Sequence, residues 1–321
     1  MSDLDLDLDL DVTGRPGTPV VVIDTDRGSP LGSGLAITVA VAREKPVPVE
    51  VADVVIAAPG LCAGAVETED PDAEAALLVR AIDASPIASL TLAWLLRAPA
   101  GPTTAALAAE SAAYSTLLGG TDFRAWLADR PTPRPSDDGD RVRLERISNP
   151  QGDVLRITLT RAARRNAVDR RLRAELVDAL QVAAHDPYLL VEIDAEGPAF
   201  SAGGDLDEFG TATDLALAHI IRTGAGAGRL LDELRDRVTV HLHGTCIGAG
   251  IELPAFAGRV TATPDTTFGL PEVSMGLIPG AGGTVSIPRR IGRGRTLWWA
   301  ITGSRLDAAT ALRWGLVDEF R

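Results

Sequence analysis

Two glutamates and three glycine-rich turns carry most of the chemical potential of this sequence. The segment AFSAGGDLDEF, Ala199–Phe209, follows the apolar run LLVEIDA, and HGTCIGAGIEL, His243–Leu253, follows VTVHLH. The third, FGLPEVSMGLIPGAGGT, spans Phe268–Thr284. Each turn is read as leaving a strand and approaching a helix, which leaves backbone N–H groups without intrahelical partners. Two such groups converging on one point make an oxyanion hole, and a side chain larger than glycine or alanine would block it. Gly248-Ala249-Gly250 is read as opening a helix whose dipole adds positive potential at that point. Glu252 lies within the apolar stretch GAGIELPAFAG, where an unpaired carboxylate is costly to bury. Such a setting raises a carboxyl pKa, as a general acid near neutrality requires. Glu272 is the second acid. Taken singly these signals are weak, because a glycine-rich strand-to-helix turn is most often only a tight turn.

The elements that must hold these residues follow an α/β order from about Arg141 onward. VRLERI and VLRITLT read as strands, Arg170–His185 as a helix, LLVEIDA as a buried strand, and Leu215–Leu234 as a helix before VTVHLHG. This alternation predicts a layered α/β fold. Upstream, residues 19–59 read as strands rich in β-branched side chains. Asp72–Arg97 and Thr103–Leu118 read as helices, with Pro86 breaking the first, Thr103 capping the second and Gly119-Gly120 ending it. RPTPRPSDDGDR, Arg130–Arg141, excludes regular structure and is read as a linker. The expected organisation is an acidic disordered tail over 1–18, a strand-plus-helix unit over 19–129, a linker over 130–140 and the site-bearing core over 141–321.

Bulk properties set the outer bounds. The chain has 321 residues, 45% of them hydrophobic, and a net charge of −13, with a mean hydropathy of +0.12. A sizeable core can be buried. The negative balance argues against nucleic acid or an anionic membrane as partner, though clustered arginines can still bind an anionic small molecule. Cys62 and Cys246 match no metal or redox spacing and are expected reduced and buried, as in a cytoplasm. The N-terminus lacks a basic segment followed by an apolar one, so no secretory leader is expected, and a cytoplasmic location follows.

Taken together, four ordered motifs resemble the enoyl-CoA hydratase/isomerase (crotonase) superfamily over about Arg141–Arg321. They are RRNAVDRRLRAELVDAL (Arg164–Leu180), FSAGGDL (Phe200–Leu206), GAGIE (Gly248–Glu252) and PEVSMGLIPGAGGT (Pro271–Thr284), with the ending TGSRLDAATALRWGLVDE also typical. The resemblance implies a crotonase-like spiral core of ββα repeats carrying an N-terminal α/β extension. It implies reversible syn hydration of a 2-enoyl-CoA thioester, with the amides of Ala202 and Ala249 holding the thioester oxygen. Glu252 is expected to activate water for Cβ and Glu272 to exchange the proton at Cα. Arg164, Arg165, Ala167, Gly203, Gly204, Asp205, Leu206 and Gly248 are expected to line the substrate and CoA groove. The same resemblance implies no metal or redox cofactor, since CoA is part of the substrate, and a homo-oligomer, trimer or hexamer. Two other readings stand beside it: another crotonase reaction, such as isomerisation or retro-Claisen hydrolysis, and a non-catalytic acyl-CoA-binding subunit.

Three features depart from the family pattern. Pro254 sits close behind Glu252, where it would kink a longer helix. The chain stops shortly after GLVDEF, whereas relatives continue into a helical tail over the active site. The N-terminal unit is an addition, and its helices at Asp72–Leu118 are expected to take the place of that tail. VPVEVADVVIAAPGLCAGA, Val47–Ala65, also looks like Tyr188–Gly204, which raises a degenerate half-copy of the core as one origin for the unit.

Overall fold

The computed structural model describes residues 8–27, 34–99, 101–135, 137–148, 150 and 152–321. The first seven residues of the expected acidic tail lie outside this set. The rest of that segment forms a turn in which Leu10 bridges Pro16. The Asp11 carboxylate accepts the amides of Thr13 and Arg15 there, a local side-chain-to-backbone cap that a disordered tail would lack.

The N-terminal unit is a four-stranded sheet in the order β1 (Val20–Asp24), β2 (Ile37–Ala42), β3 (Val54–Ala57) and β4 (Val66–Glu67). All its pairings are parallel. Every residue of β2 and β3 is buried, which explains their unbroken apolar sequences. Four helices follow: α1 (Pro71–Ala84), α2 (Pro86–Arg97), α3 (Thr103–Leu118) and α4 (Thr121–Ala128). Pro86 begins α2 as expected of a first-turn proline. Thr103 is the first residue of α3 and not its cap; its hydroxyl is instead shared with Asp232 and Arg289. No single helix among the described residues is long and apolar enough to cross a membrane.

The core unit contains a six-stranded sheet. Antiparallel β5 (Val142–Ile147) and β6 (Val154–Leu159) lead into a parallel run of β7 (Leu190–Ala195), β8 (Val238–Leu242), β10 (Arg259–Ala262) and β13 (Glu319–Phe320). A three-stranded sheet of β9 (Thr245–Ile247), β11 (Thr267–Gly269) and β12 (Leu306–Asp307) lies beside it. Helices α5 (Arg170–His185), α6 (Leu215–Ala225), α7 (Gly228–Glu233), α8 (Ala249–Glu252), α9 (Gly283–Ile291), α10 (Arg293–Thr302) and α11 (Ala308–Trp314) complete it.

The two units share one hydrophobic core, in which Ile37, Val39 and Leu78 belong to the same cluster as Trp299, Ile301 and Leu316. Trp298 Nε1 donates to Glu74 Oε1 at 2.7 Å and Arg295 Nε donates to the Ala65 carbonyl at 3.0 Å. The linker is equally well held. Arg161 and Arg141 donate to Asp137, Arg141 donates to the Gly139 carbonyl, and Arg164 donates to the Pro135 carbonyl.

Candidate active site

Glu252 closes α8, which is only four residues long. The helix ends there and Pro254 opens a separate 3-10 turn, so the proline displaces nothing. A helix this short carries little dipole, which removes the expected dipole contribution at Ala249. Gly248 has φ 48° and ψ −122°, a conformation for which glycine is suited. A Cβ at Gly248 would collide with Glu272 Oε1 and lie 3.7 Å from Glu252 Oε1. Both carboxyl groups therefore face one point above Gly248, Glu252 from the end of α8 and Glu272 from the start of the 3-10 turn Glu272–Met275.

Both acids are buried, Glu252 at 2% and Glu272 at 9% exposure. Glu252 Oε2 accepts the amides of Ala281 and Gly283 at 2.7 and 2.9 Å. Glu272 Oε2 is buried without a hydrogen-bond partner. Burial raises the Glu272 pKa to about 7, with the charge of Glu110 adding to it. Burial also lifts Glu252 well above its ordinary value, helped by the charges of Glu272 and Glu110 and opposed by the two amides. Carboxyls this close titrate as a group, so the proton count belongs to the cluster and not to one residue.

The third carboxyl was not found from sequence. Glu110 comes from α3, is 2% exposed, and accepts hydrogen bonds from Gly282 N (2.7 Å), Thr284 N (3.0 Å) and Thr284 Oγ1 (2.7 Å). The amides of residues 281 to 284 thus alternate, odd positions to Glu252 and even positions to Glu110. One glycine-rich loop is gripped from both sides, once by the core and once by the N-terminal unit. Burial also raises Glu110 to about 7.

Among the expected oxyanion donors, Ala249 lines the main cavity and its amide has no acceptor among the described residues. Ala202 does not serve as expected. Its amide donates to the Arg165 carbonyl at 2.8 Å, because Arg165 and Asn166 take left-handed φ of 50° and 51° and turn that carbonyl toward it. Two residues on, Gly204 lines the cavity and has no acceptor for its amide among the described residues. A Cβ on Gly203 would sit 2.6 Å from the Ile247 carbonyl oxygen, so the two turns abut and present Gly204 and Ala249 to the same space.

The cavity has a volume of about 390 Å³. Its floor holds Glu252, Glu272 and Glu110, and its walls are largely apolar, including Leu107, Tyr114, Leu118, Leu127, Phe209 and Leu215. Four of those six wall residues come from α3 and α4. A second crevice of about 420 Å³ is lined by Arg134, Arg161, Arg164, Arg170, Arg173 and Arg222 together with Asp205 and Asp207. Arg173, Arg222, Asp205 and Glu208 border both spaces. Arg164 therefore lies where an anionic cofactor moiety would be expected, though it is paired with Asp207 at 3.0 Å. Asp205 is ion-paired with Arg161 at 2.6 Å. Arg165 and Ala167 act through their backbones: Arg165 accepts the Ala202 amide, and Ala167 accepts Arg161 Nη1 at 2.9 Å. Leu206 lines neither space.

Residues 149–321 match the protein-family model described as enoyl-CoA hydratase/isomerase. The 2,3-dehydroadipyl-CoA hydratase of Escherichia coli (strain K12) is 35% identical over 176 residues, which are 54% of this chain and 68% of that protein. An enoyl-CoA hydratase subunit from Geobacillus kaustophilus HTA426 aligns with a TM-score of 0.51 and 28% identity, over 57% of this chain and 70% of that one. An enoyl-CoA hydratase from Bacillus anthracis aligns with a TM-score of 0.50 and 27% identity over the same shares. Glu110 and Tyr114 lie outside the residues that match the family model.

Proposed function

The chain belongs to the enoyl-CoA hydratase/isomerase, or crotonase, family, and from that premise we propose that it is a 2-enoyl-CoA hydratase. The observation that carries this reading is the pair Glu252 and Glu272 facing one point across Gly248. Hydration needs two proton-handling groups on one side of a Cα–Cβ bond: one takes a proton from water as its oxygen bonds Cβ, and the other gives a proton to Cα. Syn addition follows when both sit on the same face.

The thioester oxygen gains negative charge as the enolate forms, and in this reading the unengaged amides of Gly204 and Ala249, which line the same cavity, donate hydrogen bonds to that oxygen. Glu252, held through Oε2 by two amides, leaves Oε1 for the water, and those amides stabilise its charged form. Glu272, whose Oε2 has no hydrogen-bond partner among the described residues, exchanges the proton at Cα in this reading. Burial keeps the pair able to hold a proton near neutrality, which suits acid and base work in one site. The arginine crevice next to the cavity supplies positive potential for the phosphates of CoA. Such a reaction asks for proton transfers alone and needs no electron carrier.

The reading is tested by following enoyl-thioester absorbance with crotonyl-CoA and a longer 2-enoyl-CoA. Wild type should turn over, and Glu252→Gln and Glu272→Gln should each lose about a hundredfold or more in kcat. Absence of turnover in wild type, with the thioester still bound, would sink it.

A further inference from the structure

The cavity holds one charged group that acid–base chemistry at the thioester does not use. Arg222 projects from α6 against α3, and its guanidinium lies 4.9 Å from the centre of the Tyr114 ring. Nη2 donates to Ser115 Oγ, while Nε is buried without an acceptor. No carboxylate among the described residues forms an ion pair with it, and the charge of Arg173 nearby works against it. Burial is the main influence holding its pKa below the usual arginine range. A half-buried guanidinium so placed is compensated only in part: the Tyr114 face, one hydroxyl and the charge of Glu110 return some of the hydration it gives up, and Nε still finds no acceptor among the described residues.

Its position decides what could complete it. Tyr114 lies between Arg222 and the glycine loop, since a Cβ on Gly280 would collide with the Tyr114 ring. Glu110, one helical turn before Tyr114, touches the far side of that loop. Arg222 thus borders the apolar cavity on the other face of Tyr114 from the loop that holds Glu252, within reach of an acyl chain that fills the cavity.

We infer that Arg222, held by Ser115, receives an anionic group at the distal end of the acyl chain, so that the preferred thioester carries a terminal carboxylate. This rests on the acyl-CoA reading above and adds the class of acyl group. Arg222 also borders the arginine crevice, so an anion there could come from the acyl chain or from CoA itself, and the test must separate the two sources.

Saturated six-carbon thioesters do so without any turnover: hexanoyl-CoA and its ω-carboxylated counterpart share the same CoA and differ only at the chain end. Calorimetric titration of wild type should give the carboxylated ligand an affinity at least about tenfold tighter. Arg222→Met should remove most of that ratio by weakening the carboxylated ligand, and Arg222→Lys should keep part of it. Equal affinities in wild type overturn the inference. So does an equal loss for both ligands in Arg222→Met, which assigns the arginine to CoA phosphate or to balancing Glu110. Should Arg222→Met melt far below wild type, the wild-type ratio and Arg222→Lys decide. Hydration assays with the matching 2-enoyl thioesters keep the readings apart: failure of both substrates to react bears on the hydratase function, while the binding ratio bears on Arg222.

Discussion

At the scale of single residues, the acids divide by how they reach the site. Glu252 and Glu272 were legible because each sits inside a local motif whose glycines and prolines announce a turn. Glu110 was not, because it lies in the helix TTAALAAESAAYSTLL, whose small residues carry no apolar stripe and whose target is 172 positions away. The oxyanion donor was misplaced by two residues for a related reason. The motif fixes where the turn is, but which amide stays free depends on the left-handed Arg165-Asn166 pair that captures Ala202. The raised Glu110 pKa has a measurable sign. Its folded value of about 7 exceeds the ordinary carboxyl value of 4.5, so the folded state binds more protons between those limits and stability falls as pH rises through that window. Each unit of displacement is worth about 1.4 kcal/mol. Melting temperature measured against pH should therefore decline from about pH 4.5 to 7 in wild type, and Glu110→Gln should flatten the decline. An unchanged slope would mean that Glu110 is ionised throughout.

Elements show where pattern reading works and where contact overrides it. The strands of both units and the break at Pro86 follow from β-branched runs and proline geometry. The end of α8 at Glu252 did not, because a proline one residue beyond the last helical turn terminates as readily as it kinks. The approach of α3 to α6 and α9 was also invisible, since small residues tolerate many neighbours and specify none. In the fold Ser111 and Ser115 donate to the α6 carbonyls of His219 and Leu215, both at 3.1 Å. Gly280 marks the tightest point of this packing. Gly280→Ala drives a methyl into the Tyr114 ring and should cost about 1–3 kcal/mol of stability. Because Ala281 follows and its amide holds Glu252, kcat should fall as well. Thermal melts with initial rates check both, and an unaffected kcat at lowered stability would show that the loop adjusts without moving Glu252.

The whole molecule is less modular than its sequence suggests. Proline and charge between 130 and 140 read as a linker between two units, yet arginines pin that stretch down and one core runs through both halves. Composition could mark the segment but could not reveal that Arg161 and Arg164, 24 and 29 positions beyond their partners, hold it together with the adjacent Arg141. Of the helices at Asp72–Leu118 expected to take the place of a tail, α3 lines the cavity and α1 and α2 do not, while α4, beyond that range, lines it as well. Residues 139–321 produced alone should expose apolar surface, aggregate and lack hydratase activity. Co-production with residues 8–129 as a separate polypeptide should recover soluble, active complex, because the contacts between the halves are side-chain and core contacts. Activity of the isolated core would show that Glu110 and α3 are dispensable.

The grip of Glu110 on the glycine loop also has a consequence for how the protein is made. Translation delivers α3 well before the loop it must hold, by 172 residues. At roughly 5–20 residues per second the nascent helix waits on the order of 10–40 s with its partner unsynthesised. Contacts of such separation also slow folding after release. A chain built this way spends its youth with an unpaired carboxylate and an uncovered apolar face, and should be a client of whatever chaperone meets it at the ribosome.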